Sequence, residues 1–76
     1  MTTLAQAPLH TPLTVVADTR DGVVGRRLAM LGIRRGATLS VVSTSSGGGR
    51  VVSVAGSRIA LGRDALTAVS VEEAGA

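Results

Sequence analysis

The 76-residue chain contains no cysteine, no aromatic residue and no lysine, and each absence removes a class of function. Without cysteine there is no disulfide framework, no thiolate nucleophile and no Cys-based zinc site. Without aromatic rings there is no stacking platform for single-stranded nucleic acid and no aromatic groove for proline-rich peptides. Without lysine the G-x-x-x-x-G-K-[ST] phosphate loop cannot be written, although Gly47-Gly48-Gly49 invites the comparison. A strand pattern, not a helix, follows that triple glycine, so it reads as a hairpin tip. A single histidine, His10, lies between Pro8 and Pro12 with no carboxylate near it in sequence, so no nucleophile–base pair is in view. It reads as a surface residue. Asp18, Asp21, Asp64, Glu72 and Glu73 suggest no acid–base pair either, and carboxylates with one imidazole do not make a transition-metal site. The expectation is a protein that is not an enzyme and carries no catalytic, cofactor-binding or metal residue.

What the chain has is aliphatic. Eleven valines, eight leucines and two isoleucines must build the core, each contributing roughly 1.5–3 kcal/mol when buried. Valine's stiff, branched side chain suits pleated strands, so the composition leans to β structure. No apolar run approaches the ~18 residues of a membrane span. No basic residue precedes Arg20 and the early apolar run Leu13–Ala17 is short, which argues against a signal peptide and for a cytoplasmic protein without direct membrane insertion.

Met1–Pro12 is neutral and broken by two prolines, with Leu4 and Leu9 able to pin it to a sheet edge. Leu13–Ala17 reads as a strand and Asp18–Gly22 as a turn. Val23–Leu31 has helical period, with Val24, Leu28 and Leu31 on one face and Asp21 as N-cap. Gly32 ends this helix in the left-handed position, and Ile33 folds back on Leu28. After the turn Arg34-Arg35-Gly36, three strands alternate: Thr38–Ser43 with Leu39 and Val41 inward, Arg50–Ala55 with Val52 and Val54 inward, Arg58–Leu61 with Ile59 and Leu61 inward. Thr44–Gly49 is a polar loop. Gly56-Ser57 reads as a two-residue, glycine-first type II′ turn. Gly62–Leu66 suits one helical turn, Ala68–Val71 a last strand with Val69 and Val71 inward, and Glu72–Ala76 a polar tail, disordered over 73–76. Five short strands so closely spaced indicate a small barrel in one domain, 1–76.

The ordered residues Arg26-Arg27-Leu28-Ala29-Met30-Leu31-Gly32-Ile33-Arg34-Arg35-Gly36-Ala37 resemble the "RRLxxLGxxxGxxVxVV" core of the ferrous iron transport protein A (FeoA) family. Arg50–Arg63 resembles that family's strand, glycine turn and "ALR" ending, Ala65–Glu72 its final turn and strand, and Leu4 its opening strand. Departures are His10 in place of glycine, Ser57 in place of tyrosine, the triple glycine, and Gly62 within the "ALR" run. The resemblance implies an all-β, SH3-like barrel of about five short strands, with one short α-helix after the first barrel strand and a helical turn before the last. It further implies an accessory of ferrous iron uptake that contacts the cytoplasmic domain of a FeoB-type GTP-binding membrane transporter. Similar domains end metal-dependent repressors of the DtxR type, which makes a regulatory or nucleic-acid-binding module the alternative. The chain lacks their DNA-binding and dimerisation segments, so a stand-alone protein is expected.

Arginine is the residue left for a contact surface. Arg26-Arg27 and Arg34-Arg35 flank the helix, and Arg20, Arg50, Arg58 and Arg63 complete the set. A solvated face, protein docking and phosphate binding are the three readings, and the missing aromatics weigh against the last. Arg26, Arg27 and Met30, outward on the helix, are the expected partner-binding residues. Gly32, Gly36 and Gly56 are the expected structural glycines. The oligomeric state is left open, a homo-oligomer included.

Overall fold

A computed structural model describes residues 2–18 and 22–74. In chain order the elements are β1 (Thr2–Thr3), β2 (Leu13–Asp18), α1 (Gly22–Met30), β3 (Thr38–Thr44), a single 3₁₀ turn (Ser46–Gly48), β4 (Arg50–Val54), β5 (Ser57–Leu61), α2 (Arg63–Ala68) and β6 (Val69–Glu73). All six strands form one antiparallel sheet in the order β1-β6-β2-β3-β4-β5. The sheet bends because two strands each carry an extra residue: the register slips between Val15 and Ala17 against β6, and between Val41 and Ser43 against β4. Such bulges tighten the local twist and let a short sheet curl on itself.

The curl encloses the aliphatic core. Leu39 and Val41, Val52 and Val54, Leu61, and Val69 and Val71 are buried, following the period-2 alternation of their strands. Leu28 of α1, Ile33 just after it, and Leu66 of α2 close the ends. Leu4 is fully buried, and Leu4 N–H donates to Val69 O at 3.0 Å, so the first residues do pin to the sheet. Leu9 does not share that role: its backbone bridges Val41 in parallel, but its side chain is 43% exposed.

Several boundaries differ from the sequence reading. Glu72 and Glu73, read as tail, end β6 instead, pairing with Thr14 and Leu13. Ala74 N–H donates to Pro12 O at 2.9 Å, so the strand expected to stop at Val71 runs to Glu73 and the tail is held as far as Ala74. Residues 75–76 lie outside the described residues. β1 adds a sixth, two-residue strand. The helix before the last strand is longer than one turn, reaching Ala68 because Leu66 and Ala68 are buried along it. The β4–β5 turn sits one residue earlier, on Ala55-Gly56, since Val54 pairs with Ser57. Both central residues have positive φ, 51° and 81°, which makes the turn type I′ rather than II′. An alanine in the left-handed region is strained, and Asn-Gly is the preferred pair for this turn. Ala55→Asn is therefore expected to stabilise the fold by about 0.5–1 kcal/mol, read as a higher midpoint in urea with unchanged slope. A lower midpoint would contradict the turn.

His10 also has positive φ, 58°, the second such non-glycine residue among the described residues, and its side chain is exposed. That conformation is the physical reason glycine would suit the position. Its N–H donates to Val41 O at 2.8 Å, tying the arm to β3.

Candidate functional site

The site begins at the end of α1. Leu28, Ala29 and Met30 are its last ordered turn, and the termination is a full Schellman arrangement. Ile33 N–H donates to Leu28 O at 2.9 Å, and Gly32 N–H donates to Ala29 O at 3.0 Å. Gly32 has φ 91°, and Ile33 and Leu28 are both in the core. This cap fixes the rotation of the helix: Leu28 turns in, and Arg26, Arg27 and Met30 turn out.

Met30 is 87% exposed, the most exposed large hydrophobic side chain among the described residues. Leu31 was expected inward but is 38% exposed, because it is the C-cap residue, where the chain leaves the helical path before Gly32. Leu31 thereby joins the outer surface. The asp cap proposed at Asp21, and the inward side chain at Val24, lie outside the described residues.

Arg26, Arg27, Met30 and Leu31 line one shallow depression. Arg27 and Leu31 also line a groove that runs to β5 and α2, walled by Leu28, Leu61 and Ala65 and edged by Asp64. The groove is lined mainly by apolar side chains, with Arg27 and Asp64 as its charged members.

The arginines separate into two groups that the sequence did not distinguish. Arg50 is half-buried, and its Nη1 donates to Leu4 O at 3.1 Å and Ala7 O at 2.6 Å, holding the N-terminal arm against β4. Arg63 Nη2 donates to Gly47 O at 3.4 Å, across the β3–β4 loop. Arg26, Arg27, Arg34, Arg35 and Arg58 are exposed and make no hydrogen bond or ion pair among the described residues. Gly36 (φ 90°) and Gly56 (φ 81°) sit in turns with open space at their Cα atoms.

No group of three or more His, Asp or Glu side chains that could hold a metal ion occurs among the described residues. Asp64, Glu72 and Glu73 are exposed and lie on two different elements. No described helix is long and apolar enough to cross a membrane.

A six-stranded, strongly bent antiparallel sheet with two short helices defines a small SH3-like barrel. The FeoA domain model matches residues 2–73, and the chain belongs to the FeoA family. Iron(II) transport protein A from Clostridium thermocellum superposes with a TM-score of 0.88 at 19% identity, over 96% of this chain and 46% of that one. The chain thus spans about half the length of that relative. FeoA of Stenotrophomonas maltophilia, solved in complex with zinc and described as a prokaryotic SH3 domain protein, superposes at 0.80 with 30% identity, over 95% and 91% of the two chains. ScaR with bound Zn²⁺ superposes at 0.83 with 18% identity, over 96% of this chain and 37% of ScaR, a likeness of fold alone. None of the curated proteins matches the chain.

Proposed function

We propose that the protein is a cytoplasmic, non-catalytic accessory of ferrous iron uptake that docks the outer face of α1 on the cytoplasmic domain of a FeoB-type GTP-binding membrane transporter. The observation that carries this reading is Met30, 87% exposed between Arg26, Arg27 and Leu31 on one surface. An exposed methionine costs solubility in isolation and gains contact area against a partner, to whose irregular surface its flexible chain adapts. Arginine suits the same surface through its several donors and weakly hydrated planar head, and both residue types are enriched at interfaces. With no cluster of metal-ligating side chains among the described residues, the reading is that the protein serves iron transport through contact, without cofactor or nucleic acid.

The test is genetic. Deleting the gene is expected to lower ferrous iron uptake, and the wild-type gene to restore it. Arg26→Glu/Arg27→Glu reverses two charges without touching the core and is expected to rescue poorly. Unimpaired uptake in the deletion strain would refute the transport role. Full rescue by the folded double variant would refute the choice of surface and turn attention to the strand edges and to Thr44–Gly49.

A further inference from the structure

One long strand of the sheet has a free side. β5 is terminal in the strand order, and among the described residues no backbone bond reaches Arg58 or Ala60 outside its ladder with β4. The opposite edge, β1, offers only two residues. The direction of the β5 groups follows from the turn. In a two-residue hairpin the closing pair, Val54 with Ser57, exchanges both hydrogen bonds, and bonded pairs then alternate along the ladder. Ile59 and Leu61 thus spend their N–H and C=O groups on β4, while those of Arg58 and Ala60 point away from the sheet.

Edge strands in monomers are usually blunted by proline, a bulge or several charges. β5 has five consecutive regular pairs with β4, no proline and a single charge, Arg58. The strand is also self-complementary. Set antiparallel against its own copy with Ile59 on the two-fold axis, Arg58 falls opposite Ala60 of the other copy, and four N–H···O bonds form. The two Arg58 guanidiniums are then kept apart. Each comes to rest over the other copy's Ala60, a small side chain in a groove whose lining carries one carboxylate, Asp64, and one guanidinium, Arg27. Ile59, half-buried in the single chain, gains cover from its twin.

We propose that two copies of this chain associate through β5, edge to edge, with Ile59 facing Ile59 and Arg58 facing Ala60. The assembly is isologous and closed, so it stops at two. It goes beyond the transporter reading and does not depend on it.

The absence of cysteine from the natural chain makes the register directly testable. A non-bonded antiparallel pair places Cα atoms about 4.5 Å apart, within disulfide range. Ile59→Cys is therefore expected to crosslink into a covalent dimer with oxidised glutathione. Arg58→Cys, whose twin stands two residues off at roughly 8–9 Å, should not. Should Ile59→Cys fail to fold, a mixture of Arg58→Cys and Ala60→Cys, both exposed positions, should give heterodimers in preference to either homodimer. In sedimentation the unmodified protein should show a concentration-dependent dimer. Ala60→Pro removes two of the four bonds, spares the β4 ladder, and should weaken that dimer roughly ten- to a hundredfold. Crosslinking no better at 59 than at 58, no heterodimer preference, a strict monomer, or a dimer untouched by Ala60→Pro in a folded variant would overturn the proposal.

Discussion

Arg50→Met is expected to cost about 3 kcal/mol of stability and to loosen the N-terminal arm before the rest of the molecule unfolds. The guanidinium of Arg50 is the donor seen for the carbonyls of Leu4 and Ala7, at 3.1 and 2.6 Å. Both residues are buried, so the carbonyls have little recourse to water once the donor is gone. Hydrogen bonds from a charged donor contribute about 1.5–3 kcal/mol each. Methionine matches the length of the stem but donates nothing, so packing is retained while both bonds are lost. For a chain of this size total stability is roughly 4–11 kcal/mol, and a loss of 3 takes a large share of it. The check is a urea titration of both proteins, with amide exchange followed at Leu4 and His10. Those two amides bond Val69 O and Val41 O and report the arm directly. Arg50→Lys, which keeps a charged donor on a shorter stem, should fall between. Superimposable unfolding curves for Arg50→Met and wild type would show that the arm is held by Leu4 and Ala7 packing alone.

Arg50 also marks where sequence reading stops. Nothing local separates it from Arg26 or Arg58: all three are arginines beside valine, leucine or isoleucine-bearing elements. Its role depends on an arm more than forty residues away, which only the tertiary fold brings into reach. The same holds for Leu31, placed inward by helical period but turned out by the cap that Gly32 makes. It holds again for the β4–β5 turn. A glycine-first reading put the turn on Gly56-Ser57, whereas the pairing of Val54 with Ser57 put an alanine into the left-handed region. Where the signal was the two-residue period of a strand, the reading matched in β3, β4 and β6. Valines and leucines at alternate positions of β3, β4 and β6 are the buried ones, because the two faces of a pleated strand leave no other choice. The outward residues of α1 were legible for the same reason. What they touch was not, since a partner's surface leaves no period in the chain that meets it.

Gly32→Val is expected to cost about 1–3 kcal/mol, and the structure says where the cost arises. A Cβ built at Gly32 would stand 3.7 Å from Val54 Cγ2, an ordinary contact, so crowding is not the obstacle. The obstacle is φ at 91°, which a β-branched residue adopts only under strain. If the backbone relaxes instead, the bonds from Gly32 and Ile33 to Ala29 and Leu28 open, and the last turn of α1 loses its end. Asn, which tolerates the left-handed region, should cost less than valine, giving the order Gly, Asn, Val in thermal midpoint. The consequence reaches the proposed docking face. Met30 and Leu31 are the two residues before the cap, and fraying there scatters the surface that Arg26 and Arg27 share with them. Partner affinity should therefore fall in Gly32→Val below the melting transition, by more than in Ala55→Asn, whose turn lies on β4–β5. A melting curve for Gly32→Val identical to wild type would sink the cap, and an altered melt with full affinity would detach the docking face from it.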